Sequence, residues 1–290
     1  MVTLADIPDF WKPRYGKYYE PLPDKDAYLA RIGLAGETIS LDRAGLDKLI
    51  WAQLTHVPFE NIDLFDYDKP VDFGIVELYD KMVVRRRGGY CFELNSLFMA
   101  LLEAVGFEVY PIGVRIMMGN ETAFISAISH RASVVIIDGQ RHFADVGFGD
   151  TSAAGGSICL DTKEKQTVRE TVYAIEDRPY NNLAIIRYKA DGTISPEFKF
   201  LPDPFPIVDF VPCNYHMART GFHAKRIANL RTETGSKSID GDIFRVTTNG
   251  ERVETPIADA AEAYRLLVEE FGMTLSGPLK EAAFDPNFAF

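Results

Sequence analysis

The stretch Arg87-Gly88-Gly89-Tyr90-Cys91-Phe92-Glu93-Leu94-Asn95 constrains this chain more than any other. From Leu94 the apolar residues Leu94, Leu97, Phe98, Leu101, Leu102 and Val105 fall at offsets 0, 3, 4, 7, 8 and 11, one face of an α-helix. Gly106 follows where a helix tends to end on a left-handed residue. The pattern predicts a helix that begins at or just after Gly89 and carries Cys91 in its first turn. There the unpaired amides and the positive end of the helix dipole favour a thiolate. Gly88 and Gly89 carry no side-chain bulk, so a second molecule is expected to approach the sulfur closely. Such a stretch suggests a cysteine nucleophile, on condition that a base stands elsewhere in the chain.

At 290 residues the chain has length for a buried core and two or three structural units. Its 31 basic and 42 acidic residues give a net charge of −11, which argues against general binding to nucleic acid or to membrane surfaces. A local basic or amide-lined site for an anionic cofactor is compatible with that total. The three cysteines, Cys91, Cys159 and Cys213, are odd in number and widely spaced, with no CxxC, so neither a disulfide framework nor a zinc site is expected. The first residues show no basic segment followed by an apolar one, and no apolar run approaches the length of a membrane span. A reducing, cytoplasmic setting is the expectation, and it suits a free thiol.

Along the chain, residues 1–23 read as an irregular lead-in rich in proline and aromatics. Asp24 and Asp26 are candidate caps for a short helix with Tyr28, Leu29 and Ile32. Ser40 is a candidate cap for a second helix, with Leu46, Leu49, Ile50 and Leu54 at helical offsets. That helix stops before Pro58. A weaker helical pattern covers 75–84. After Gly106 the period changes to short β-rich runs. Ala132–Ile137 and Arg141–Val146 flank Asp138-Gly139-Gln140, a strong hairpin signal. Further strands are expected at 168–175, 183–188 and 243–248. A last helix is expected near Thr255-Pro256, with the proline at its first position.

The hairpin supplies the missing base. With Asp138-Gly139 as a two-residue turn, Ile137 faces Gln140 and Ala132 faces Asp145. His130 has the parity of Ala132, so His130 and Asp145 project from one face as diagonal neighbours, roughly 7–8 Å apart at the backbone. A one-residue slip would put them on opposite faces. Together with Cys91 they would form a Cys–His–Asp triad, the imidazole deprotonating the thiol and the carboxylate fixing the ring. Taken singly, each has a plainer reading. A lone cysteine is usually a small buried hydrophobe, a lone histidine structural, and a lone aspartate a turn or surface acid. Arg85, Arg86 and Arg87 read as a solvated charge run, and Glu60 beside Asn61 as a turn or cap. From the residues alone, the chain is a candidate cysteine-dependent acyl-transfer or hydrolytic enzyme.

These residues also resemble a known family. Arg87 to Asn95 is similar to the active-site signature of the arylamine N-acetyltransferases. Pro58-Phe59-Glu60-Asn61 resembles a second motif of that family. His130 with its β run, and Ala144-Asp145-Val146-Gly147-Phe148-Gly149, resemble a third and a fourth. The weaker Tyr28-Leu29-Ala30-Arg31-Ile32-Gly33 extends the likeness toward the N-terminus. The resemblance implies an α+β fold with a cysteine-protease-like Cys-His-Asp core. It divides the chain into a helical bundle (1–106), an antiparallel β-barrel (107–205) and an α/β lid (206–290). It implies Cys91 as nucleophile, His130 as base, Asp145 as orienting carboxylate and an Arg87–Glu60 ion pair bracing the loop. Phe124 and Ile125 stand where the family lines its acceptor pocket. Asp150 and Thr151 replace a common glycine and proline, and Tyr215-His216 replaces a Ser-Thr element after Asn214. These departures bear on the coenzyme pocket rather than on the triad.

The implied activity is ping-pong acetyl transfer from acetyl-CoA, as co-substrate, to a small arylamine or arylhydrazine, without a metal and without nucleic-acid or membrane partners. Two alternatives keep part of this picture: a macrolactam-forming amide synthase of the same superfamily, and a non-catalytic acyl-CoA-binding protein with the same fold. A thiol hydrolase is a weaker contender.

Overall fold

The helix after Gly89 is the centre of the N-terminal half. The computed structural model describes residues 3–120, 127–149, 153–219 and 221–285. Short helices α1 (Lys12–Tyr15) and α2 (Lys25–Arg31) lead to the longer α3 (Arg43–His56). After strand β1 (Phe59–Glu60) come α4 (Ile62–Phe65), α5 (Ile75–Tyr79), a π-turn over Asp80–Val84 and α6 (Cys91–Val105). Helix α6 ends on Gly106, whose φ of 117° an L side chain rarely adopts. Its stripe from Leu94 to Leu102 is buried, and so is most of its opposite face, because helices cover one side and a sheet the other. Asp24 caps α2, accepting from the amides of Asp26 and Ala27 at 2.9 and 3.0 Å. The cap of α3 is Asp42 rather than the expected Ser40. Asp42 accepts from Gly45 N at 2.8 Å, and Ser40 Oγ donates to the same carboxylate oxygen at 2.7 Å.

Eight antiparallel strands follow: β2 (Glu108–Ile116), β3 (His130–Ile137), β4 (Gln140–Ala144), β5 (Ile158–Cys159), β6 (Gln166–Val168), β7 (Thr171–Arg178), β8 (Asn182–Tyr188) and β9 (Ile194–Phe200). Their order is β5-β4-β3-β2-β9-β8-β7-β6, a sheet curled into a nearly closed barrel. The gap between its edges is bridged by a side chain. The Gln166 amide accepts from Cys159 N at 2.9 Å and donates to Cys159 O at 2.8 Å. Alternation divides the faces. Ile112, Val114, Ala132, Val134 and Phe143 fill the barrel, while Val109, Val135 and Ile137 pack on the helices. The expected strand at 168–175 is two strands, because Arg169 turns the chain at φ 51°.

A smaller sheet completes the chain. Helix α7 (Phe210–Met217) precedes β10 (Ile227–Thr232), β11 (Gly235–Asp240), β12 (Ile243–Thr248) and β13 (Glu251–Pro256), and α8 (Ala260–Glu269) packs on the sheet. Pro256 ends β13. It does not open the last helix, whose cap is Asp259. The edge of this sheet is completed from far away in sequence, by β1, where Glu60 pairs with Ala228 and Phe59 with Asn229. The Pro58–Asn61 segment is thus a strand shared between the helical region and the C-terminal sheet. Among the described residues, no helix is long and apolar enough to cross a membrane.

Candidate active site

Strand β3 opens on His130, and Asp145 directly follows β4. The ladder between them runs in the expected register, with Ile137 opposite Gln140 and Ser133 opposite Ala144. Asp138 and Gly139 turn the chain with φ of 51° and 76°, both positive, as a two-residue type I′ turn requires. The diagonal contact closes: His130 Nε2 lies 2.7 Å from Asp145 Oδ2, with both residues buried. The other carboxylate oxygen, Oδ1, accepts from Gly147 N at 2.8 Å and from Asn95 Nδ2 at 2.9 Å. The imidazole lies parallel to the Phe198 ring at 5.8 Å, and Phe148 meets it edge-on at 6.3 Å.

Cys91 is the first residue of α6, with its Sγ 4.0 Å from the carbonyl of Ser129, the neighbour of His130. Among the described residues, His130 Nδ1 is buried and meets no partner at hydrogen-bond distance. Burial by itself would lower the His130 pKa. The Asp145 carboxylate, through its charge and hydrogen bond, and then Cys91, outweigh that and push it up to about 10. The arrangement therefore favours an imidazolium at neutral pH.

Behind the nucleophile, three carboxylates share two cations in the interior. Arg87 places Nε and Nη2 3.0 and 2.8 Å from Glu60 Oε1, and Nη1 3.2 Å from Asp63 Oδ1. Lys81 Nζ stands 2.7 Å from Glu93 Oε1, 2.8 Å from Asp63 Oδ2 and 3.9 Å from Glu60 Oε1. Glu60 Oε2 accepts from Ile62 N at 2.7 Å, and Glu93 Oε2 accepts from Tyr90 N at 3.0 Å, at the mouth of α6. Burial would lower the pKa of Lys81, but the carboxylates of Glu93, Glu60 and Asp63 raise it. With one carboxylate in excess, one acid must hold its proton more readily. Burial, helped by Glu60 and opposed by Lys81, pushes Glu93 up to about 7. Arg85 and Arg86 stay exposed, and only Arg87 of the three turns inward.

The glycine pair has a different cause from the expected one. A Cβ on Gly88 would stand 2.0 Å from the carbonyl oxygen of Pro58, and one on Gly89 2.7 Å from Met82 Cε and 2.8 Å from Glu93 Oε2. The glycines let the loop lie against the Pro58–Glu60 strand, where Glu60 N donates to Gly89 O at 2.9 Å. They serve packing behind the sulfur rather than access in front of it. Gly88→Ala is accordingly expected to destabilise the protein by about 1–3 kcal/mol, the usual cost of overpacking. Urea unfolding measures this, and a change below about 0.5 kcal/mol would disprove the tight contact.

Known proteins resemble this chain over most of its length. The sequence profile described as N-acetyltransferase matches residues 42–280. The bovine arylamine N-acetyltransferase 1 is 32% identical over 288 residues, covering 91% of this chain and 99% of the relative. The chain belongs to the arylamine N-acetyltransferase family. The structure of the M. smegmatis arylamine N-acetyltransferase superposes with a TM-score of 0.78 at 28% identity, covering 86% of this chain and 92% of that one. The Mycobacterium marinum arylamine N-acetyltransferase, solved in complex with CoA, gives a TM-score of 0.78 at 26% identity, with 87% and 93% covered. The chain is thus an acyltransferase, an arylamine N-acetyltransferase with an α+β fold. Neither the amide-synthase reading nor the non-catalytic one is favoured by these relatives.

In this family member Cys91, His130, Asp145, Arg87 and Glu60 lie together at the start of α6, and Phe124 and Ile125 fall outside the described residues. Two neighbours went unread in the sequence. Lys81 is brought to Glu93 by the π-turn, which leaves no periodic trace. Asn95 signals itself only as a polar residue four places after Cys91, one helical turn along α6. Cys159 and Cys213 are free thiols, and the Cys213 thiol donates to Asp209 O at 3.4 Å.

Proposed function

We propose that Cys91, His130 and Asp145 are the catalytic triad of this N-acetyltransferase, braced by Arg87 and Glu60, and that acetyl passes from acetyl-CoA through Cys91 to an arylamine or arylhydrazine. The observation that carries the reading is the buried 2.7 Å contact between His130 and Asp145 beside a cysteine at a helix N-terminus. The Cys91 thiolate attacks the thioester carbonyl. The amide of Cys91, first in its helix and without an intrahelical acceptor, is suited to donate to the tetrahedral oxyanion. Coenzyme A leaves as the thiol, taking the proton held at His130 Nδ1. The acetyl group stays on sulfur as a thioester. The neutral amine then attacks it, His130 accepts the amine's proton, and the amide departs.

The CoA complex of the M. marinum relative supports the donor, and the names of the relatives support the acceptor class. Phe124 and Ile125 are proposed to line the acceptor pocket, in keeping with xenobiotic aromatic amines as substrates. We place the enzyme in the cytoplasm, in keeping with its free cysteines. The division into a bundle (1–106), a barrel (107–205) and a lid (206–290) is proposed on the same footing.

Mixing the protein with acetyl-CoA and measuring intact mass tests this directly. One acetyl group is expected, mapped to Cys91, absent in Cys91→Ala and released on adding an arylamine. An adduct on Cys159 or Cys213 would end the triad assignment, and rapid loss of the adduct without amine would favour a hydrolase.

A further inference from the structure

We propose that Asn95 is a positioning residue of this site, holding Asp145 in register with the nucleophile helix. The inference rests on the Cys91–His130–Asp145 reading. Asn95 lies four residues after Cys91, so both project from the same face of α6, one turn apart. Its buried amide is fully engaged. Nδ2 donates to Asp145 Oδ1 at 2.9 Å and to the carbonyl of Arg131 at 2.6 Å, while Oδ1 accepts from Val146 N at 3.0 Å. One side chain on the cysteine helix thus holds the strand residue after His130, the carboxylate of Asp145 and the residue after it.

A second observation points the same way. A Cβ on Gly147 would meet Asn95 Nδ2 at 2.7 Å and Cys91 Cα at 2.8 Å, so the chain after Asp145 lies flat on the first turn of α6. That close approach leaves Asn95 as the side chain between the helix and the carboxylate. Only a primary amide of this length offers two donors and an acceptor at once. By donating to Oδ1, Asn95 leaves Oδ2 to face His130 and stabilises the ionised carboxylate that keeps the imidazole charged. Leucine would fill the volume and do neither.

The two roles open to a buried asparagine, stability and positioning, separate in a pH profile. In Asn95→Asp the new carboxyl stands where the amide stood, against Asp145. At low pH the two carboxyls share a proton, and the introduced one, when protonated, donates to Asp145 much as the amide did. At higher pH both ionise and repel. The experiment is single-turnover acetylation of Cys91 by acetyl-CoA from pH 5.5 to 8.5, for wild type, Asn95→Ala and Asn95→Asp, with rates corrected for the folded fraction by circular dichroism. Asn95→Ala is expected to be slower by about 10- to 100-fold, with its acid limb moved to higher pH because Asp145, no longer held at Oδ1, faces the His130 imidazolium less firmly. The rate of Asn95→Asp relative to wild type is expected to fall at least about tenfold between the two ends of the range. A flat ratio overturns the proposal. If Asn95→Asp does not fold, an Asn95→Ala profile that keeps the wild-type acid limb overturns it. No acetyl on wild-type Cys91 would overturn the triad reading beneath it.

Discussion

Asp145→Asn is expected to slow acetylation of Cys91 by three to four orders of magnitude, on the order of the loss when the orienting carboxylate of a triad becomes an amide. The hydrogen bonds around Asp145 explain why an isosteric change should cost so much. Oδ2 receives His130 Nε2, while Oδ1 receives two donors, Gly147 N and Asn95 Nδ2. An asparagine has only one oxygen. If that oxygen faces His130, its NH2 points at two other donors. If it turns over, its NH2 faces Nε2, which must then be the unprotonated nitrogen. The proton moves to Nδ1, the nitrogen on the Cys91 side, and the ring can no longer take the thiol's proton.

The variant also removes the charge that, against the effect of burial, raises the His130 pKa to about 10. A histidine whose folded pKa lies above its unfolded value of about 6.5 stabilises the fold fully below that value, and the contribution is lost as the pH rises through about 10. The gap in melting temperature between wild type and Asp145→Asn should therefore be widest near pH 6 and narrow toward pH 10. Single-turnover kinetics and melts over that range check both parts. A rate within tenfold of wild type would remove Asp145 from the mechanism.

The His130–Asp145 contact was legible in advance because one short-range signal fixes a long-range register. Asp138-Gly139 admits a two-residue turn, and the parity of every residue on either strand follows from it. The cysteine helix was legible for a similar reason, since its stripe and its closing glycine are local. What stayed hidden is non-local or aperiodic. Nothing near Phe59-Glu60 announces that it completes a sheet begun at Ile227. The Gln166 bridge that closes the barrel spans only seven residues, but it is an aperiodic pairing of a side-chain amide with the Cys159 backbone that no local pattern announces. Local capping signals also competed: Ser40 and Asp42 both suit an N-cap, and the aspartate takes the amide while the serine supports it. Arg87 could not be told from Arg85 and Arg86 by composition. Only the family likeness separated it, and the physical cause is the turn at Arg86, whose φ of 52° brings Arg87 N onto Lys81 O at 3.0 Å and its side chain toward Glu60.

That turn makes Arg87→Met the substitution with the largest expected effect on stability. Arg87 is buried, and its guanidinium spans Glu60 and Asp63 at once. Without it, Lys81 is the one cation among the described residues left to Glu60, Asp63 and Glu93, and it reaches Glu60 only at 3.9 Å. Removing one partner from a buried ion pair costs roughly 3–5 kcal/mol, because the remaining charge is left without compensation. In a protein of this size that is a fall in melting temperature of roughly 5–8 °C. Arg87→Lys should recover little, since one ammonium cannot meet Glu60 through two nitrogens and still reach Asp63.

The sign of the pH dependence separates this account from a simple loss of packing. Glu93 already has a folded pKa raised to about 7, against an unfolded value near 4.5. Between those values the folded state binds the extra proton, so this group favours folding at the acid end and its contribution fades as pH rises through 7. Asp63 works the other way. Burial would raise its pKa, but Lys81 and Arg87 hold it below its usual range, and its contribution is lost only as pH falls below about 4. Losing a cation leaves more carboxylate charge in excess and strengthens the tendency seen at Glu93. The deficit of Arg87→Met against wild type should then be larger at pH 8 than at pH 5.5 in thermal melts. An equal deficit at both would mean that the guanidinium matters here for its volume rather than for its charge.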